Sequence, residues 1–303
     1  MDPKDFGVST IPLKHEPYGP ILPERLAGVN KGKVAVVTGA HRGIGQAISI
    51  ALANSGANLA LLDLSLDTLQ ETKIKCESYG VKVETFACDI RDASAVHQAF
   101  VALVEKLGPV DILVNNAGAV TGKMAHKEGF AAFWNIVEIN FKGTMLCVFE
   151  VLQSMMDRKS GCIINLASRS ATISHEAGLS YCSSKAAVAR ATGCLQEDLE
   201  AEGLGEQVHT YSLHPGAVWG AMVTSNVSLQ EQDGLRPLFK DVSELCGNTV
   251  AYLSSGKAKD LRGLYIDCRQ DLEMLQNAGR PTLRKHGFNN LGVKFLPGFE
   301  NEP

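Results

Sequence analysis

VAVVTGAHRGIG, residues 34–45, joins a run of apolar residues to a segment in which apolar residues recur at helical spacing. The apolar run predicts a short β-strand, and the segment from Ile44 to Asn54 predicts a helix. Gly39, Gly43 and Gly45 stand between the two. Glycines at this point permit a tight turn and let the backbone approach a pyrophosphate at the helix N-terminus. The stretch therefore predicts a βα unit that binds a dinucleotide.

Strand-like and helix-like segments alternate along the chain beyond this unit. Further strands are predicted at 58–63, 83–89, 111–115, 162–168, 208–213 and 263–266. Further helices are predicted at 67–79, 92–106, 130–157 and 178–201. Continuous apolar strands that alternate with helices predict an α/β fold, in which a doubly wound parallel sheet has helices on both faces (the Rossmann fold).

No linker divides the alternating region, so a single Rossmann domain is predicted over residues 31–268. Residues 1–30, rich in Pro and Gly, are expected to form an N-terminal extension that either runs as an extended arm over the domain surface or is partly disordered. Residues 269–303 form a C-terminal extension, with a short helix predicted at 271–277 and an apolar terminus at 291–299.

Composition excludes several classes of function. The 303-residue chain carries a net charge of −4, which argues against a nucleic-acid binder with a basic face. No apolar run has the roughly 18–20 residues that cross a membrane, and the N-terminus lacks the pattern of a signal peptide. The eight cysteines form no CxxC pair, and no His, Asp and Glu residues are spaced as a metal site. We expect a cytoplasmic protein without a metal, a membrane span or a nucleic-acid partner.

Asp63 ends the second predicted strand, where a carboxylate can accept hydrogen bonds from the ribose hydroxyls of a bound dinucleotide. Its alternative role is to cap the following helix. Arg42, in the glycine turn, could instead pair with the 2′-phosphate of NADP. Because Asp63 would repel that phosphate, the sequence favours NAD over NADP.

Tyr181 and Lys185 lie four residues apart on a predicted helix and therefore share one face of it. A lysine ammonium close to a tyrosine favours the phenolate, so the pKa of Tyr181 is expected to fall. Ser168 ends the fifth strand, at the sheet edge where open α/β folds place their ligands. These three residues are candidates for proton exchange beside the dinucleotide.

The order of motifs resembles the classical short-chain dehydrogenase/reductase family over about residues 32–268. Residues 38–45 match its TGxxxGxG turn, residues 115–118 its NNAG motif and residues 215–216 its PG motif. Asp89 matches the aspartate expected near the adenine ring. The resemblance implies a single Rossmann domain and an NAD(P)-dependent enzyme. The residues expected to bind the cofactor are Gly39, Arg42, Gly43, Ile44, Gly45, Asp63, Asp89, Ile90, Asn116, Ala117, Gly118, Tyr181, Lys185, Pro215, Gly216 and Val218.

The resemblance also implies a catalytic tetrad of Asn140, Ser168, Tyr181 and Lys185. Ser168 would hold the substrate oxygen and Tyr181 would be the general acid/base. Lys185 would lower the pKa of Tyr181 and bind the nicotinamide ribose. Asn140 would anchor a water that relays protons, or satisfy a helix irregularity. The implied reaction interconverts a secondary alcohol and a ketone.

The region beyond the PG motif is expected to select the substrate. Residues 217–239 should form a lid, and its apolar side chains favour a bulky apolar small molecule. These apolar residues are Trp219, Met222, Val223, Val227, Leu229 and Leu235. His175 either lines the substrate pocket or is a surface residue, and Cys182 is interpreted as a packing residue.

Two alternatives to alcohol oxidation stay open. The same pocket could reduce an imine or assist a cyclisation in a biosynthetic pathway, or the fold could serve as a nucleotide-sensing scaffold without turnover. By resemblance, the chain is expected to form a homo-oligomer, a dimer or a tetramer, through the helices at 130–157 and 178–201.

Overall fold

The computed structural model describes residues 9–226, 228–293 and 295. Within them, seven strands form one parallel sheet in the order β3-β2-β1-β4-β5-β6-β7. The strands are β1 (Val34–Thr38), β2 (Asn58–Asp63), β3 (Val83–Ala87), β4 (Ile112–Asn115), β5 (Gly161–Leu166), β6 (Val208–His214) and β7 (Tyr265–Asp267). The order reverses between β1 and β4, which opens a crevice at the carboxyl ends of the strands.

Helices cover both faces of the sheet. They are α1 (Pro23–Leu26), α2 (Gly43–Asn54), α3 (Leu66–Glu77), α4 (Ala93–Leu107), α5 (Ala125–Glu128), α6 (Phe130–Val137), α7 (Gly143–Arg158), α8 (Leu179–Ala201), α9 (Ala221–Thr224), α10 (Leu229–Leu235), α11 (Ser243–Ser254), α12 (Leu272–Ala278) and α13 (Arg280–Lys285). The largest buried apolar cluster lies between the sheet and α2, α3 and α11, and a second lies between the sheet and α4 and α7. The predicted Rossmann architecture is confirmed.

The sequence did not predict α11, which packs closely on α2. A Cβ on Gly247 would lie 2.6 Å from the carbonyl oxygen of Ala47, so the two helices touch through their backbones. The segment also contains Asn248 and Thr249, which favour helices weakly in isolation. Tertiary packing therefore stabilises a helix that local propensity does not indicate.

The long helix predicted at 130–157 is interrupted. Residues 138–142 form a π-helical segment between α6 and α7, and Asn140 lies at its centre. One extra residue is inserted into the helix there, and such insertions often mark functional sites.

The N-terminal extension is only partly the extended arm that its composition predicts. Residues 19–21 form a 3-10 turn that leads into α1. Ile21 and Leu26 are completely buried in the core beside α2 and α11. Two apolar anchors therefore attach this extension to the domain.

The predicted short helix of the C-terminal extension corresponds to α12, and α13 follows it. Val227 of the lid and most of the predicted apolar terminus, residues 294 and 296–299, lie outside the described residues. In the described part of the chain, no helix is both long enough and apolar enough to span a membrane.

Candidate active site

The glycine turn after β1 is shaped by backbone contacts that exclude side chains. A Cβ on Gly45 would lie 2.0 Å from the carbonyl oxygen of Gly39. A Cβ on Gly39, whose φ is +66°, would lie 2.9 Å from the Cα of Ala117. Both positions therefore require glycine, because any larger residue would push the turn away from the neighbouring loop.

Gly43 has the opposite surroundings. Its φ is +54°, and no atom lies within 4 Å of the place where a Cβ would be. It begins α2, whose first amides have no acceptor within the helix. Arg42 is exposed just before it, while Ile44 is half-buried and packs on the core. Open space over the N-terminus of a helix fits a dinucleotide pyrophosphate.

The NNAG motif fastens the glycine turn. Asn116 donates from Nδ2 to the carbonyl oxygens of Thr38 and Gly39, each at 3.0 Å. The Thr38 hydroxyl oxygen accepts from the amides of Asn116 and Ala117, each at 3.1 Å. Gly118 lies beside one of the predicted catalytic residues, since a Cβ there would lie 3.5 Å from the Lys185 Nζ. The NNAG motif therefore lies between the glycine turn and Lys185 and contacts the turn directly.

Asp63 lies where the sequence predicts, at the carboxyl end of β2, but it has a partner that the sequence did not indicate. Its Oδ2 accepts a hydrogen bond from Nδ1 of His41 at 2.7 Å. Its Oδ1 accepts from the amide of Leu64 at 2.8 Å. His41 belongs to the glycine turn, so an ion pair or hydrogen bond links the turn to the predicted ribose site.

Asp89 and Ile90 are held by neighbours. Arg91 binds both carboxylate oxygens of Asp89, which keeps the pKa of that carboxyl below its usual value. Ile90 is buried, and a Cβ on Gly143 would lie 2.7 Å from its Cδ1. In this structure the Ile90 side chain packs in the core, so any contact with a cofactor would come from its backbone.

The loop after β6 contains Pro215, Gly216 and Val218 and is held by Asp241, which the sequence did not single out. The Asp241 carboxylate accepts from the amide of Ala217, and its own amide donates to the Ala217 oxygen at 3.2 Å. A Cβ on Gly216, whose φ is +86°, would lie 2.7 Å from Oδ2 of Asp241. The PG motif therefore needs glycine so that this buried carboxylate can approach.

Ser168 and Tyr181 meet at the carboxyl end of β5. Their hydroxyl groups are hydrogen-bonded, and the Ser168 Oγ also accepts from the amide of Ser170 at 3.1 Å. The next amide, that of Arg169, donates to Nδ1 of His214 at 3.2 Å. Burial lowers the pKa of His214 to about 4, so its neutral ring accepts this bond and holds the Ser168 turn.

Lys185 lies beneath Tyr181. Its Nζ is 5.9 Å from the centre of the Tyr181 ring and donates to the Leu166 oxygen at 2.6 Å. Burial lowers the pKa of Lys185 to about 8 and raises the pKa of Tyr181, against which the bond from Ser168 acts. The shift of Tyr181 is opposite to the sequence expectation, because removal of the phenolate from water outweighs the hydrogen bond from Ser168.

Asn140 joins the π-helical segment to the loop after β4 and to α8. Its Nδ2 donates to the Ala119 oxygen at 2.9 Å and to the Ser184 Oγ at 3.0 Å. Its Oδ1 accepts from the Ala119 amide at 2.8 Å. All three contacts are to groups outside the π-helical segment, so both roles predicted for Asn140 remain predictions.

The four predicted catalytic residues converge on the crevice, next to the glycine turn. They provide two linked hydroxyl groups and a buried amine with a lowered pKa. The described residues contain no group of three or more His, Cys, Asp or Glu that could hold a metal ion. Such an arrangement can move a proton to or from an oxygen beside a bound dinucleotide.

Comparison with known proteins agrees with this geometry. Residues 33–231 match the family described as short chain dehydrogenase. A short chain dehydrogenase of Pseudocercospora fijiensis is 31% identical over 278 residues, 87% of this chain and 89% of that protein. D-threitol dehydrogenase of Mycolicibacterium smegmatis is 35% identical over 181 residues, 60% of this chain and 69% of that protein.

Among solved structures, a 7α-hydroxysteroid dehydrogenase complexed with NADH and 7-oxo glycochenodeoxycholic acid superposes with a TM-score of 0.72. It is 27% identical, and the match covers 80% of this chain and 94% of that one. The chain belongs to the short-chain dehydrogenase/reductase family. It is an NAD(P)-dependent oxidoreductase.

Proposed function

We propose that this protein interconverts a secondary alcohol and a ketone, with Tyr181 as the general acid/base. The observation that carries the proposal is the hydrogen bond between the hydroxyls of Ser168 and Tyr181, with the buried amine of Lys185 below the ring. A substrate oxygen that replaces part of this bond would meet both hydroxyl groups at once.

Each member of the tetrad has a separate task in the proposal. Ser168 would hold the substrate oxygen, and Tyr181 would take its proton in oxidation and return it in reduction. Lys185 would bind the nicotinamide ribose, and its charge would make the phenolate easier to form. Asn140 would anchor the water that passes protons to solvent. Acid–base help of this kind contributes ~10²–10⁴ in rate.

The residues around the glycine turn fit the cofactor, which when bound accepts or supplies the hydride. Gly43, Ile44 and Gly45 would face its pyrophosphate with backbone amides. The loop from Pro215 to Val218, with the backbone of residues 116–118, would hold the nicotinamide end. Asp89 and the backbone of Ile90 would border the adenine.

We infer that NAD is preferred over NADP. The Asp63 carboxylate, only 12% exposed, lies where the ribose hydroxyls would bind and would repel a 2′-phosphate. Arg42 is exposed at the turn and is the residue that would favour NADP. Parallel measurement of turnover with both cofactors tests the preference.

A bulky apolar alcohol or ketone is the inferred substrate class. Trp219 and Phe239 pack edge to face at 5.4 Å in the lid, and Met222 is 43% exposed. The 7α-hydroxysteroid dehydrogenase of similar structure, with its bound bile acid derivative, supports this inference.

All eight cysteines are free thiols, which supports the cytoplasm as the location.

The decisive variant is Tyr181→Phe. It removes only the phenolic oxygen and keeps the ring that packs over Lys185. We expect it to abolish turnover in an assay of NAD and NADP reduction against a panel of secondary alcohols. Cofactor binding, measured by quenching of protein fluorescence, should persist.

Tyr252→Phe is the matched control, because this hydroxyl bonds to Gln276 far from the tetrad. It should keep wild-type turnover. Undiminished turnover in Tyr181→Phe would contradict the mechanism. Cofactor binding by the wild-type protein without turnover of any alcohol or ketone would favour the scaffold alternative.

A further inference from the structure

Three polar side chains outside the tetrad meet in the loop between β5 and α8. Ser170 Oγ lies 3.0 Å from Nε2 of His175. Nδ1 of the same histidine lies 2.9 Å from the carbonyl oxygen of Glu176. The thiol of Cys182 is hydrogen-bonded to the Ser170 side chain. The proposed mechanism uses none of these groups.

The contacts of Ser170 and His175, the Ser170–His175 pair, determine which of their atoms carry hydrogen. A carbonyl oxygen only accepts, so Nδ1 of His175 carries the ring hydrogen. In the neutral imidazole Nε2 is then an acceptor, and the Ser170 hydroxyl donates to it. The only hydrogen of Ser170 is thereby committed. While the hydroxyl donates to His175, its oxygen can accept a hydrogen bond from another donor but has no second hydrogen to donate.

The backbone of this loop is arranged around the imidazole. Ala177 has a φ of +54°, a conformation that residues other than glycine seldom adopt. A Cβ on Gly178 would lie 2.5 Å from Cε1 of His175 and 2.8 Å from Sγ of Cys182. Strained residues of this kind persist where the surrounding structure holds them, and they cluster at ligand sites.

The pair adjoins the proposed reaction centre. The amide of Ser170 donates to the Ser168 oxygen, and Cys182 follows Tyr181 directly in α8. Ser170 and His175 are both only partly buried, so a ligand can reach them. A substrate oxygen held by Ser168 and Tyr181 would bring its neighbouring carbon atoms towards Ser170.

We propose that Ser170, oriented by His175, is a second substrate-binding group that accepts a hydrogen bond from a hydroxyl on a carbon next to the reacting one. The inference rests on the proposed alcohol–ketone reaction at Ser168 and Tyr181. It narrows the substrate class to vicinal diols and α-hydroxy ketones on an apolar framework. It excludes diketones as preferred substrates, because the Ser170 oxygen has no hydrogen to offer a second carbonyl.

Matched substrate pairs test the proposal. For the oxidation we would compare cis-1,2-indanediol with 1-indanol, and 2,3-butanediol with 2-butanol, in wild type and Ser170→Ala. The variant should lose about tenfold in kcat/KM for each diol, the effect of one hydrogen bond. Its kcat/KM for each simple alcohol should stay at the wild-type value. Ser183→Ala, at an exposed position in α8, is the control and should change neither.

His175→Phe gives a result that a purely structural role would not produce. The substitution removes the imidazole that accepts from Ser170, so the Ser170 hydroxyl becomes free to donate to a second carbonyl. In the reduction, the ratio of kcat/KM for 2,3-butanedione to kcat/KM for acetoin should therefore rise. Equal loss on diols and simple alcohols in Ser170→Ala, or an unchanged selectivity in both variants, would overturn the proposal while alcohol oxidation stands. Turnover of no alcohol at all would overturn the proposed function and this inference together.

Discussion

Lys185 shows how burial sets the chemistry of one side chain. Its side chain is almost fully enclosed, and burial lowers its pKa from about 10.5 to about 8. The unfolded chain keeps this proton to a higher pH than the folded protein does. Holding the ammonium in the core therefore costs stability at neutral pH. The cost is full below pH 8 and declines as the pH rises from 8 to about 10.5.

Lys185→Met should separate stability from activity. We expect the variant to melt about 3 °C above wild type at pH 7, because an apolar side chain replaces a buried charge. The difference should shrink between pH 8 and pH 10, and turnover should be lost at every pH. Thermal melting followed by circular dichroism across this range is the measurement.

The exposed Lys123 provides the matched control, since Lys123→Met should show no such trend with pH. A melting difference between Lys185→Met and wild type that stays constant from pH 7 to pH 10 would contradict a lowered pKa for Lys185.

The N-terminal extension contacts and stabilises the loop after β6, a role that we call bracing. His15 contacts the Asp241 carboxylate through Nδ1, and its carbonyl oxygen accepts from the Val242 amide at 3.0 Å. Tyr18 donates to the Gln270 oxygen at 2.7 Å, just beyond β7. Asp241 in turn holds the backbone of the PG loop. A segment far from the site in sequence therefore positions the loop that we assign to the nicotinamide.

His15→Ala should weaken cofactor binding more than it weakens the fold. Loss of the imidazole leaves the buried Asp241 with one fewer partner and loosens the loop. We expect the KM for the cofactor to rise by about five- to tenfold, with a small change in kcat and in melting temperature. Steady-state kinetics with varied cofactor provide the test.

His97 makes the matched control, because it pairs with Glu150 at 3.2 Å on the far helices α4 and α7. His97→Ala should leave the KM for the cofactor unchanged. If His15→Ala and His97→Ala gave the same KM, the bracing role of the N-terminal extension would be refuted.

On the molecule as a whole, α4 and α7 carry an exposed apolar surface. Phe149 is 72% exposed, Val101 45% and Val104 42%. Large apolar side chains grouped on one face often mark a contact with another protein. Because α7 belongs to the region expected to form the subunit contact, a second copy of the chain is the partner that we infer.

Phe149→Glu should break this contact by placing a charge in it. We expect the molecular mass measured by light scattering after size exclusion to fall to about half, since symmetric interfaces lose both copies of a residue at once. Tyr79→Glu is the control, because Tyr79 is 47% exposed and lies beside α3, away from this surface. An unchanged mass for Phe149→Glu would place the interface elsewhere.

Features with local causes could be read from the chain. Apolar strands alternating with amphipathic helices predicted the sheet, because side-chain periodicity depends on neighbours in sequence. Gly39 and Gly45 marked the turn, since only glycine tolerates the close backbone approach found there. The spacing of Tyr181 and Lys185 placed both on one face of α8, which follows from helix geometry alone.

Features that depend on distant neighbours appeared only in the folded molecule. His15 and Asp241 are 226 residues apart in sequence, and no local pattern relates them. Helix α11 forms because α2 accepts it, and the π-helical segment at Asn140 is held by Ala119 from another loop. The raised pKa of Tyr181 belongs to the same group, because the loss of water around a side chain depends on everything packed against it. The amino-acid order thus predicted the fold and the candidate catalytic residues, while packing determined the pKa shifts of those residues and the contacts that hold them.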